Sequence, residues 1–373
     1  MRTGRALLIV CASMAGCHRT PPSQPAGPGA YAAREASAGP VVAVADGGAM
    51  GNEVAVAATR VRVSLVTDTS APMVGEPLFG TLVVENIGDS PVEIEYAWMG
   101  RNELGRPNNY EVSAVSAGGA AVAVPDSGPE FGGQSWRVTI APRAERRTRL
   151  LLSLWAPFER PDRYTITLRT TVAARDASSD AGTEQNVTLS ASAVVDVRPQ
   201  NAADFAALIA GLESRAAGGD DDAQRAIVWI RDDRVIESLA RLSTRVPSAS
   251  WGSYIFALGR FNDDRALAAI ERVLRITAAD LDPAGYTTAE LREMAAQSLR
   301  YTAVSALDRS PHPRAPSIVL SMRNDPNDSI RLTVLHRVAR LPRAQSEPVI
   351  RSMLNDRFAL VRQEAERYLR ELR

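Results

Sequence analysis

Lysine is missing altogether. Every one of the 43 cationic Lys/Arg positions in this 373-residue chain is an arginine, balanced by 43 aspartates and glutamates, so the formal net charge is zero. A chain without excess positive charge is not steered as a whole toward nucleic acid, and no nucleic-acid partner is expected. Cysteine is almost missing too: Cys11 and Cys17 are the only two, too few for a disulfide framework. The three histidines, His18, His312 and His336, do not fall at a zinc-site spacing. No phosphate-binding loop, dinucleotide fingerprint or nucleophile elbow occurs. On these absences no enzymatic activity, no cofactor and no small-molecule substrate are expected. No apolar run reaches the ~18–20 residues that cross a bilayer as a helix.

What is present begins with the first seventeen residues. Arg2 and Arg5 precede a short apolar run, Ala6 to Ala15, of the length of a signal-peptide core. It ends Met14-Ala15-Gly16-Cys17, small residues just before a cysteine. This resembles the lipobox of bacterial lipoproteins, with Met where Leu is usual. The resemblance implies removal of residues 1–16 and acylation of Cys17 on its sulfur and its new amino group. Cys17 would then be the one cysteine left, at the first position, and its acyl chains would attach the protein to a membrane. His18 in place of Asp after the cysteine implies, by the same analogy, a lipid-anchored place in the cell envelope at the outer membrane. Residues 17–57 follow as a Pro-, Ala- and Gly-rich tether with Pro21, Pro22, Pro25, Pro28 and Pro40. Extended, such a spacer reaches on the order of 100 Å.

Over residues 58–198 the hydrophobic period is two. Val61, Val63 and Leu65 alternate with Arg60, Arg62 and Ser64, and the pattern returns at Val92, Ile94 and Tyr96, at Leu150 and Leu152, and at Tyr164, Ile166 and Leu168. Turn clusters such as Gly88-Asp89-Ser90-Pro91 separate the runs. Alternating short strands of this kind predict an antiparallel β-sandwich. The run Gly80-Thr81-Leu82-Val83-Val84-Glu85-Asn86-Ile87-Gly88 resembles the second strand of bacterial Ig-like domains. Pro161-Asp162-Arg163-Tyr164-Thr165-Ile166 resembles their penultimate hairpin, where a turn feeds a strand through an inward tyrosine. The domain is also similar to the intracellular-proteinase-inhibitor type of Ig-like domain. Trp136 and Trp155 lie in or beside apolar strands and are expected in the core. Trp98, at a strand end before Met99-Gly100-Arg101, is expected to be exposed and is a candidate partner-binding residue.

Beyond Pro199 the period becomes helical, and over 203–373 the chain repeats. With an offset of 31, Ile318-Val319 meets Val349-Ile350, Met322 meets Met353, Asn324-Asp325 meets Asn355-Asp356, and Ile330-Arg331 meets Val361-Arg362. Asp232-Asp233-Arg234 and Asp263-Asp264-Arg265 stand at the same offset. A fixed period with helical spacing inside it predicts stacked helical hairpins. Helices are expected over Ser248–Phe261, 288–308, Pro313–Arg323, Ser329–Leu341, Glu347–Leu354 and Ala359–Leu372. An aspartate in the turn before a second helix, then Val/Ile-Arg, then small or apolar residues resembles the HEAT-repeat family in its shorter bacterial form. The residues that carry the likeness are Asp328, Ile330, Arg331 and Val334, then Asp356, Val361, Arg362 and Ala365. Leu299-Arg300 and Ala303 fit without the aspartate.

The fold class expected is therefore multidomain β + α, an Ig-like antiparallel sandwich followed by a HEAT-like α-solenoid. Such solenoids present concave faces suited to protein partners. The recurring Arg300, Arg331 and Arg362 are candidate partner-binding residues. The competing reading is that each pairs with a nearby turn aspartate or carbonyl and staples adjacent repeats. The insertion at 277–287, which carries Asp282 and Tyr286 and which packing does not require, offers a second candidate surface. The function these features suggest is a non-catalytic interaction scaffold of the envelope. Regulation of an enzyme, through a protease-inhibitor-type or lyase-like module, and a structural envelope role are the alternatives.

Overall fold

The period of two in the first half decides which atoms meet water. In a computed structural model of the chain, Val61, Val63 and Leu65 are fully buried while the alternating Arg60 and Arg62 are exposed. The model describes residues 51–372 apart from 57–58, 97–100, 103–105, 127–129, 132–134, 178–183, 245–250 and 282–286. The signal segment, Cys17 and most of the tether, together with Trp98, Asp282 and Tyr286, lie outside the described residues.

Two antiparallel sheets form first. Strands β1 (Asn52–Val56), β2 (Thr59–Thr67), β3 (Phe79–Asn86) and β9 (Glu145–Leu151) make one, in the order β1-β2-β3-β9. The other contains β4 (Val92–Tyr96), β6 (Glu111–Ser116), β8 (Trp136–Ile140), β10 (Asp162–Asp176) and β11 (Gln185–Val197), in the order β11-β10-β4-β8. Strand β10 is the spine of this second sheet. One side pairs with β11 from Asp162 to Ala174; the other is shared, Tyr164 to Arg169 with β6 and Ala173 to Asp176 with β4. The short strands β5 (Arg101–Asn102) and β7 (Glu130–Phe131) pair separately.

Leu65 and Leu82 from the first sheet and Ile94, Ile166, Leu168 and Leu189 from the second are wholly buried in one apolar core. Each such side chain contributes about 1.5–3 kcal/mol relative to leaving it in water. Asn86 is buried among them without cost because its hydrogen bonds are made. Its amide nitrogen donates to the carbonyls of Ser90 (2.8 Å) and Ile140 (3.0 Å), and its oxygen accepts from the Gly88 N–H (3.0 Å) and the Thr59 hydroxyl (3.2 Å). A Cβ at Gly88 would stand 1.7 Å from the Thr59 Oγ1, so only glycine fits this turn. Tyr164 is inward, its hydroxyl donating to the Arg160 carbonyl at 3.0 Å.

One expectation about the aromatics is overturned. Trp155 is buried, but Trp136 is 42% exposed. Its neighbours in alternation, Val138 and Ile140, become progressively more covered, so the tryptophan faces the right way yet stands at the end of β8, where burial runs out.

The helices follow: α1 (Ala202–Ala217), α2 (Asp221–Trp229), α3 (Ile236–Thr244), α4 (Trp251–Leu258), α5 (Asp264–Leu274), α6 (Ala289–Asp308), α7 (Ala315–Ser321), α8 (Asp328–Val338), α9 (Arg343–Met353) and α10 (Ala359–Glu371). Five of these ten begin at a polar cap. Asn201, Asp220, Asp263, Thr288 and Asn327 each accept hydrogen bonds from backbone N–H groups of the first turn that have no helical partner. Packing runs between near neighbours: α1 with α2 and α3, α3 with α4 and α5, α5 with α6, α6 with α7 and α8, α8 with α9 and α10.

Helix α9 starts four residues before the expected Glu347. Pro348 reads as a first-turn proline but lies inside the helix on an exposed position. The hydrogen bond that its missing N–H forgoes faces solvent, where water can serve the orphaned carbonyl. Sheets and helices belong to one compact unit, Ala45–Arg373. Met73, Phe79 and Leu151 from the sheet region are part of the same buried cluster as Phe205, Ile209 and the rest of the helical core.

Candidate functional site

The 31-residue offset puts an arginine early in α8 and α10 and late in α6, and puts an aspartate in the turns before α8 and α10. Their geometry is a chain of ion pairs. Arg300 donates to the Asp325 carboxylate, and Arg331 repeats this one period later with Asp356. The second pair is bidentate, Nε to Oδ2 at 2.7 Å and Nη2 to Oδ1 at 2.8 Å. Each aspartate also organises the helix it precedes. Asp325 accepts from the Asn327 N–H and Asp356 from the Phe358 N–H, both at 2.8 Å. Each carbonyl of these aspartates is then taken by the arginine six residues on. Arg331 Nη1 donates to the Asp325 oxygen at 2.8 Å and Arg362 Nη1 to the Asp356 oxygen at 2.7 Å.

Burial makes these bonds count. Arg331 is only 3% exposed. The side-chain hydrogen bond from Arg331 holds the Asp356 carboxyl below its ordinary value, and the same contact holds the Arg331 guanidinium above its own. Arg331 thus stands between α8 and the turn before α10, its guanidinium engaged by Asp325, Pro326 and Asp356. Arg300 and Arg362 are half-buried in the same system.

Above the buried pairs lies an open groove of roughly 470 Å³. Its walls are Glu293, Gln297 and Arg300 on α6, the turn Pro326-Asn327-Asp328 with Arg331 on α8, and Arg357-Phe358 before α10. Asn327 spans two walls: its oxygen caps α8 at Ser329 N (2.9 Å) while its amide donates to the Gln297 oxygen at 3.3 Å. Arg357 is exposed and donates to the Pro326 carbonyl. Phe358 is 39% exposed and supplies no side-chain cap to α10. The groove therefore offers amide donors and acceptors, one exposed cation, an exposed carboxylate at Glu293 and an aromatic face. Among the described residues, no group of three or more His, Cys, Asp or Glu side chains converges as a metal site would.

Of the groove's lining residues, the sequence offered Arg300 and Arg331 as candidate partner-binding residues and Asp328 as a mark of the repeat, and Arg362 is not among them. Asn327, Arg357 and Phe358 were missed. A signal for them existed, since the offset of 31 sets Arg357-Phe358 on Pro326-Asn327. A bulky aromatic where the previous repeat has its cap is a departure that packing does not ask for.

No family model matches the chain, and no curated protein matches it. Among solved structures it matches pT26-6p, at 10% identity over 83% of this chain and 47% of that one, with a TM-score of 0.19. The chain spans about half the length of that structure, and a score so low marks no shared fold. No helix among the described residues is long and apolar enough to cross a membrane.

Proposed function

We propose that this chain is a non-catalytic interaction scaffold of the bacterial envelope. In this reading its sheets are an Ig-like sandwich, its helices a short-period HEAT-like solenoid, and acylated Cys17 holds it at the outer membrane by a Pro-, Ala- and Gly-rich tether. The observation that carries the binding role is the groove across α6, α8 and α10. It is an open cleft with an exposed Phe358 and Arg357 at positions where the repeat itself calls for neither. Exposed aromatic and arginine side chains beside a cleft are the residue types that dominate protein interfaces.

Two experiments test the parts separately. Tagged full-length chain recovered from membranes should retain a discrete protein partner that is lost from Phe358→Ser and from Arg357→Glu; an unchanged partner set in both variants removes the groove from the account. Globomycin treatment of cells should leave a larger, unprocessed form, and normal processing in its presence would remove the anchor.

A further inference from the structure

Between the sheets and the helices the linker is short: β11 ends at Val197 and α1 begins at Ala202. We propose that a clasp centred on Arg149 and Phe79 joins the two regions into one mechanical unit, so that the helices are presented at a fixed orientation to the sheets. Arg149 lies near the end of β9, an outer strand of its sheet. Its guanidinium reaches two carboxylates at once. Asp68, at the end of β2 on the sheet side, is held through both terminal nitrogens, Nη1 to Oδ1 at 2.6 Å. Asp222, in the first turn of α2 on the helix side, is held through Nε. Burial alone would lower the Arg149 pKa, but Asp68 and Asp222 together hold it above the ordinary arginine value.

Beneath the charges is a ring. The guanidinium of Arg149 lies 4.5 Å and that of Arg225, from α2, 5.6 Å from the centroid of Phe79. Arg225 in turn pairs with Asp222. Phe79 is buried within the helical core although it begins a sheet strand. Cation–π contacts strengthen as they lose water, so this cluster binds most tightly when the two regions are closed on one another.

A second point of attachment stops rotation about the first. Gln200 Nε2 donates to the Val74 carbonyl at 3.2 Å and its oxygen accepts from Arg234 at 2.5 Å. The Arg234 guanidinium lies 4.8 Å from the centre of the buried Phe205 ring of α1. The turn at Gly75 comes close enough to Phe205 that a Cβ there would touch it at 3.8 Å, and its φ of +76° favours glycine in any case. Two attachment points, a four-residue connection and a continuous apolar core make a rigid bracket in place of the mobile link usual between domains.

The test is hydrogen exchange of the full chain followed by mass spectrometry through a urea series. Peptides from β10 and β11 and peptides from α5 and α8 are expected to lose protection at one shared midpoint. In Arg149→Met the two sets should separate into two midpoints. Phe79→Leu, which keeps apolar volume and removes the ring face, should separate them as well, and stands in if Arg149→Met fails to fold. Arg147→Ala, whose exposed side chain pairs with Glu145 of the same strand, should leave them together. Two midpoints in the unaltered chain would overturn the proposal, as would a single shared midpoint in both Arg149→Met and Phe79→Leu.

Discussion

Two places in this molecule, the open face of the sheets and the joint between the last helices, use the same chemical pair, arginine with a carboxylate, to opposite effect. On that open face the pairs ride on the surface. Arg62 meets Glu85 at 3.0 Å with side chains 47% and 37% exposed, and Arg137 meets Glu95 at 2.6 Å in a similar position. Between the repeats at the end of the chain, the side chains of Arg331 and Asp356 are 4% and 8% exposed. Distance does not separate these cases; water does. Surface pairs are screened and contribute about 0.2–1 kcal/mol. A buried pair has already given up two hydration shells, so it tolerates the loss of both partners far better than the loss of one. An all-arginine composition therefore conceals two populations, one decorative and one that fixes the spacing of the helices.

The largest expected effect breaks the buried side of this contrast. Arg331→Ala leaves Asp356 charged and without its main partner, and should cost about 3–5 kcal/mol in urea unfolding. The pair of changes Arg331→Met with Asp356→Leu should return stability to near the original or above it, which no surface pair can imitate. The same pair has a pH signature. The Asp356 pKa is depressed in the folded chain, so its contribution is fully present above the ordinary aspartate value of about 3.9 and is lost as pH falls through the lower, folded value. Acid unfolding followed by circular dichroism should lose that low-pH branch in the double variant.

Next in size is a neutral case within the sheets. Asn86→Ala removes four hydrogen bonds around the turn before β4 and leaves the Ser90 and Ile140 carbonyls searching for donors, at about 1–3 kcal/mol by denaturant midpoint. Smallest is Arg137→Ala, expected to lower stability by no more than about 1 kcal/mol and to lose even that in high salt. If Arg137→Ala matched Arg331→Ala, burial would not be what distinguishes the two pairs.

How much of this was legible depends on how far apart in the chain the partners lie. The link between Arg331 and Asp356 could be anticipated because both recur at one offset, and a contact inside a repeat must recur with it. Arg149 could not. In the strand it is one arginine among Arg146, Arg147 and Arg149, and what singles it out is α2, more than seventy residues later. Trp136 defeated the pattern from the other side. Alternation assigns a side chain to a face of a sheet but is silent on whether the sheet continues far enough to cover it. Pro348 failed because a proline states what it cannot donate, and nothing about whether water is at hand to compensate. Phe358 was visible only by subtraction, as the place where one repeat stops agreeing with its neighbour. Departures from a repeat carry information that the repeat averages away.

The shared flank of β10 has a consequence in time. Its partner β4 is made early, yet Val92 meets Asp176 and Glu95 meets Ala173. A chain synthesised from its N-terminus at about 5–20 residues per second leaves β4 waiting roughly 4–16 s for that flank to exist. Throughout that interval Val92, Ile94 and Tyr96, all destined for the interior, stand on a strand with a side open to any other extended segment. The helices face no such delay, because each finds its first contacts in a neighbour just completed. Shielding during synthesis is a need of the first half of the chain, while the second half can assemble as it emerges.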